Sequence, residues 1–158
     1  MQNMQQAVFC IGKEEYGLDI MEVNIIEKLI PFEQVANAPK NVKGIMNLRG
    51  DFIPVYSLRS KFGLADLEPD EETRLIITKS GELLIAYEVD KMQEIAQLNP
   101  GQIMEVPSVF QTKDTAYVKA VTNIDGRLIL LLNSNGILTE EEHNSLKAIL
   151  EKKRENKK

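Results

Sequence analysis

Apolar residues in this chain gather into short runs of strand length separated by Gly, Pro, Asn and Asp, and only near the end do they fall at helical spacing. Ala7 to Ile11 (AVFCI) is a continuous apolar run, which predicts a strand buried on both faces. After a loop at Gly12 to Glu15 the chain returns through Tyr16 to Asp19, completing a hairpin. Arg74 to Thr78 and Leu83 to Val89 flank a Ser80-Gly81 turn and predict another, and Met92 to Leu98 alternates as a further strand. Asn99-Pro100-Gly101 predicts a turn, and Ser108 to Thr115 an exposed loop. Tyr117 to Asn123 and Arg127 to Asn133 flank Asp125-Gly126, the strongest hairpin signal in the chain. Thr139 with Glu142 three residues on is a capping-box pattern, and Leu146, Ile149 and Leu150 make a narrow apolar stripe. That predicts one docked amphipathic helix, fraying near Lys153. About ten short strands and a single long helix define an all-β barrel protein.

The most informative stretch is Gly44 to Lys61, where Asn47, Arg49, Gly50 and Asp51 form a polar knot between two apolar runs. Ile45, Met46 and Leu48 supply one strand, Phe52, Ile53, Val55 and Tyr56 the other, and Gly50 the positive φ of a short turn that holds Arg49 towards solvent. Pro54 lacks a backbone donor, which predicts an edge strand or a bulge there. Ser57 is an expected N-cap for a helical turn through Leu58 and Phe62 that Gly63 ends. Ile20 to Ile30 fits helical and strand spacing alike, up to Pro31. Phe32 to Val42 reads as a loop, and Asp66 to Glu72 as an acidic linker dividing the first half of the chain from the second.

Composition narrows the function. At 158 residues the chain forms one domain, or two small barrels sharing a core, without need of disulfides or metals. Net charge is -5, and residues 1–138 carry 13 basic against 19 acidic residues, which argues against nucleic-acid or anionic-membrane binding. The last 20 residues hold six basic side chains, expected to be a solvated helix end. Residues 1–6 are polar and no apolar run approaches 18 residues, so a cytoplasmic protein without membrane insertion is expected. The single Cys10 lies in the first strand and His143 in a charged helical turn, expected to be exposed; the two cannot assemble a zinc site, and no cofactor is expected. With no phosphate-cradling loop or nucleophile elbow, and with carboxylates confined to linkers and helix starts, the chain does not read as an enzyme.

The motif Gly44, Ile45, Asn47, Arg49, Gly50, Ile53, Pro54, Val55, Leu58 and Arg59 resembles the CheW family of chemotaxis coupling proteins. Tyr117 through Leu132 resembles the family's second hairpin, departing at Ala120, where the family usually has Gly. Ser57 stands where the family often has Asp, and Ile25 where it commonly has an acid, which leaves Glu22 or Glu27 to serve instead. The resemblance implies two five-stranded SH3-like barrels packed side by side over residues 6–145, with a C-terminal α-helix whose end and basic tail occupy 146–158. It favours a short helical turn and then a strand over Ile20 to Ile30. In function it implies an adaptor joining the cytoplasmic domains of chemoreceptors to a CheA-type histidine kinase, recruited to membrane receptor arrays. Asn47, Arg49 and Gly50 are then the partner-binding residues, with Gly44 and Val23 as neighbouring support. A different class, a barrel that binds a small ligand or peptide outside chemotaxis, is separable by pulldown with a receptor fragment.

Overall fold

The computed structural model describes residues 4–108 and 117–156. Eleven strands lie among them: β1 (Met4–Ile11), β2 (Glu14–Asp19), β3 (Val23–Lys28), β4 (Val42–Leu48), β5 (Asp51–Ser57), β6 (Arg74–Ser80), β7 (Leu83–Val89), β8 (Lys91–Leu98), β9 (Ile103–Met104), β10 (Val118–Ile124) and β11 (Arg127–Leu132). Three helices accompany them, α1 (Leu58–Lys61), α2 (Ser134–Ile137) and α3 (Glu140–Asn156). The strands form a six-stranded sheet in the order β8-β1-β2-β11-β10-β9 and a five-stranded sheet in the order β3-β6-β7-β5-β4.

The chain therefore begins in one barrel, builds the other, and returns. The acidic linker connects α1 to β6 inside the five-stranded sheet, so it does not divide two structural halves as its composition suggested. The first sheet also has six strands where five were expected, because the two-residue β9 adds to the β10 edge. A 3-10 turn at Ile20–Glu22 followed by β3 resolves the ambiguous segment, its first turn capped by Asp19, whose Oδ1 accepts from the Met21 N–H. The loop expected at Ser108 to Thr115 lies, beyond Ser108, outside the described residues.

Side-chain alternation distributes the apolar residues over three cores. Val8, Ala96, Leu98, Ala120, Ile129 and Leu131 fill the six-stranded barrel, and Met46, Ile53, Val55, Leu75, Ile77 and Ala86 fill the five-stranded one. Between the barrels lies the largest core, to which β1 contributes Phe9 and Ile11, and β6 Ile76. A stretch of strand with one face on its own barrel and the other on the interface favours apolar residues at every position, and this is why β1 reads as an unbroken run from Ala7 to Ile11. Cys10 is buried in it as expected. Ala120 is buried in the six-stranded barrel where the family usually has Gly.

Pro54 is neither on an edge strand nor at a bulge. β5 lies between β4 and β7, but its parallel ladder with β7 begins only at Val55. Opposite Pro54, Ile45 turns its backbone groups the other way, towards Glu33, so no donor is missed on either side. Ser57 caps α1 by accepting from the Ser60 N–H at 3.1 Å, and Gly63 follows the helix at φ 80°.

The capping box of α3 is formed. The Thr139 N–H donates to Glu142 at 3.1 Å and the Glu142 N–H to Thr139 Oγ1 at 3.0 Å. Glu142 also accepts from the Tyr56 hydroxyl at 2.9 Å and from Asn41 Nδ2 at 3.1 Å, while Leu146 and Leu150 are buried in the central core. Two expectations about this helix are corrected. His143 is not exposed but lies half-buried, its Nε2 3.3 Å from the Ser80 carbonyl in the β6–β7 turn. The helix does not fray at Lys153, since it continues to Asn156 with the Lys153 ammonium bonded to Glu33 at 2.9 Å.

Candidate functional site

The β4–β5 hairpin closes through two residues, Arg49 at φ 53° and Gly50 at φ 93°, both in the left-handed region. That is the primed turn whose twist matches paired strands. Asn47 stabilises it by accepting the Gly50 N–H on Oδ1 at 2.9 Å. The β10–β11 hairpin repeats the device, with Asn123 Oδ1 accepting the Gly126 N–H at 2.9 Å and Asp125 at φ 51°. Asn47 and Gly50 thus have complete structural explanations. Arg49 does not, since the second hairpin makes the same turn with an aspartate.

Arg49 is 71% exposed, and its guanidinium reaches Glu27 of β3 at 3.4 Å. β3 and β4 are the two edges of the five-stranded sheet, so this pair spans the gap between them. A largely solvated contact of this kind is worth about 0 to 1 kcal/mol. Of the two acids expected to stand in at this place, Glu27 meets Arg49, whereas one Glu22 carboxylate oxygen is buried without a partner among the described residues. Ile25 packs half-buried against the core of the five-stranded barrel, a position for which a side chain without charge is suited.

The remaining expected residues are placed apart from the turn. Val23 opens β3, partly buried against the central core and four residues from Glu27, about 13 Å along a strand. Gly44 is buried in β4 because the Pro31–Glu33 segment crosses it: a Cβ there would lie 2.3 Å from the Glu33 carbonyl oxygen and 2.6 Å from Phe32. Asn47, Arg49 and Gly50 therefore form one tip, while Val23 and Gly44 shape its support.

Beside the tip opens a groove of about 550 Å³ lined by Pro31, Phe32, Glu33, Ile45, Asn47, Phe52 and Lys153. Phe52 stands opposite Asn47 in the hairpin register. Sequence reasoning passed over Phe52, Glu33 and Lys153. Phe52 offered a signal, a large aromatic at the exposed start of a strand, but Glu33 and Lys153 meet across 120 positions and offered none.

Burial, then the charge of Glu15, pushes the Cys10 thiol above its ordinary 9.0, the reverse of an activated nucleophile. Among the described residues no three His, Cys, Asp or Glu side chains converge as a metal set, and no helix is long and apolar enough to cross a membrane.

Fold and site together define a two-barrel β module that presents an arginine-tipped hairpin beside a groove. Residues 5–142 match the family model of the CheW-like domain. The chain is 32% identical over 135 residues to the chemotaxis protein CheW of Klebsiella aerogenes, covering 85% of this chain and 81% of that protein. It is 26% identical over 138 residues to its Bacillus subtilis counterpart, covering 87% and 88%. The crystal structure of the scaffolding protein TtCheW from Thermoanaerobacter tengcongensis superposes with a TM-score of 0.80 at 27% identity, over 90% of this chain and 92% of that one. The chain belongs to the CheW-like domain family, and it is a non-enzymatic adaptor of chemotaxis.

Proposed function

We propose that the protein couples the cytoplasmic tips of chemoreceptors to a CheA-type histidine kinase, in the cytoplasm at membrane receptor arrays, with Arg49 as a partner contact. The observation that carries the site is the comparison of two turns in one molecule. Both are built by an Asn and a Gly, yet only the β4–β5 tip presents an arginine, mostly in water with donors to spare. Arginine is favoured at interfaces because its planar fork of five donors loses little freedom on pairing. Two barrels side by side supply two surfaces, as a coupler requires, and the relatives' names, a chemotaxis protein and a scaffolding protein, support the assignment.

The test is reconstitution with receptor fragment, kinase and ATP. Kinase autophosphorylation is expected to rise when the adaptor is added, to require the receptor, and to pass through an optimum, since an excess bridge occupies each partner separately. Activation without receptor, or without an optimum, would instead indicate a direct effector of the kinase.

A further inference from the structure

The groove beside the hairpin has an apolar floor and, among the described residues, one cation at its rim. Phe32, Ile45 and Phe52 line it, and Lys153 lies across the mouth, its ammonium 5.5 Å from the centre of the Phe52 ring. The ion-pair partner of Lys153 is Glu33, whose side chain is 78% exposed. A pair so solvated is weak, so another carboxylate can replace Glu33 at little cost. One arriving with an apolar side chain would also exclude water from the ammonium and strengthen the contact. Lys152 and Arg154 flank Lys153, a concentration of positive charge on an otherwise acidic chain.

Among the described residues the sheet edge at the groove is open as well. Glu33 and Ile45 exchange backbone hydrogen bonds of 2.9 and 2.8 Å. Continuing that antiparallel register would place Pro31 opposite Asn47. Pro31 has no N–H to give the Asn47 carbonyl, so the ladder stops where the groove begins.

We infer that this groove receives a protein segment carrying an apolar side chain next to a carboxylate, the carboxylate displacing Glu33 from Lys153. Glu33 is then a built-in placeholder that keeps the cation positioned over Phe52 until the partner arrives. The inference rests on the adaptor reading, and its test measures binding of a receptor signalling fragment and of a CheA-type kinase regulatory domain separately.

The decisive variant is the double exchange Glu33→Lys with Lys153→Glu, which preserves the internal ion pair and reverses its polarity. It is expected to melt like the wild type and to weaken one of the two partners by about tenfold, with Glu33→Gln tightening that same partner. Lys153→Gln, which needs no new pair to form, is expected to weaken it as well. If the wild type binds and both the exchange variant and Lys153→Gln bind equally well, Lys153 is only a structural tether and the inference is overturned. If the wild type binds neither fragment, the adaptor reading falls, and this inference with it.

Discussion

Arg59 of α1 holds Asp90, the residue between β7 and β8, in a two-point fork, Nε to Oδ1 at 2.9 Å and Nη2 to Oδ2 at 2.8 Å. Asp90 Oδ2 also accepts the Gly12 N–H at 2.7 Å, and Arg59 Nη1 donates to the Ala65 carbonyl at 2.9 Å. The pair thus ties the β1–β2 turn of one barrel to the helix and strands of the other. Arg59 belongs to the family motif, and its role here is internal.

Breaking that fork is expected to destabilise the molecule. The side chains are 17% and 19% exposed, so Asp90→Asn leaves a guanidinium mostly out of water, and a loss of about 2 to 4 kcal/mol is expected in urea unfolding. The pH dependence follows from the same contacts. Burial by itself raises the Asp90 pKa, but the Arg59 hydrogen bond, the Gly12 N–H and the Arg59 charge outweigh it and hold the carboxyl below 3.8. A carboxylate so lowered contributes stability that is present above its unfolded pKa and lost as pH falls through the folded one. Unfolding measured from pH 5 downwards is expected to show this loss in the wild type and a flatter profile in Asp90→Asn.

Arg49 permits a sharper separation of stability from binding than alanine scanning alone. Its φ of 53° is costly for any side chain with a Cβ, so Arg49→Gly is expected to raise stability by up to about 1 kcal/mol, while Arg49→Ala stays within about 0.5 kcal/mol. Both are expected to weaken partner binding by about 1 kcal/mol or more. Thermal melts and titration with the receptor and kinase fragments check the two effects. A large fall in melting temperature would mark Arg49 as a packing residue.

Gly44 and Gly50 are expected to fail on substitution for different reasons. Among the described residues nothing lies within 4 Å of a Cβ at Gly50, so Gly50→Val acts through the backbone alone and should cost more than about 1 kcal/mol. Gly44→Ala instead drives a methyl into the Glu33 carbonyl and should cost about 2 kcal/mol or more while parting the Glu33–Ile45 bridge. Amide hydrogen exchange at Glu33 and Ile45 is expected to accelerate in Gly44→Ala and not in Gly50→Val.

Gln6 offers a stabilising substitution. Its side chain is fully buried in β1 and neither amide atom has a hydrogen-bond partner among the described residues. Replacing it with Met, of similar shape and without those polar atoms, is expected to raise unfolding free energy by about 1 to 3 kcal/mol in urea titration. Unchanged or lower stability would mean that the amide is satisfied in solution.

Much of this molecule is determined locally and was legible as such. The runs at Ala7 to Ile11 and Leu83 to Val89, the Arg49-Gly50 and Asp125-Gly126 turns, the Ser57 cap and the Thr139–Glu142 box each depend on residues a few positions apart, and each forms as its sequence predicts. The unbroken apolar run also marked β1 as buried on both faces, though not what would cover each face.

Only the tertiary structure decided which strands share a barrel. β1 pairs with β8 and β2 with β11 across most of the chain, because the apolar faces of the first hairpin are satisfied there and not by its sequence neighbours. The placing of Pro54 inside a sheet, the half-burial of His143 against the β6–β7 turn, and the Arg59–Asp90 fork follow from that arrangement. So does the candidate site. Asn47, Arg49 and Gly50 were visible as a turn, but Glu27, Glu33 and Lys153 reach it from β3, a loop and the end of α3. Charge and hydrogen-bonding groups meet in space at distances that no sequence period encodes, since a solvated side chain leaves no apolar pattern to announce its partner.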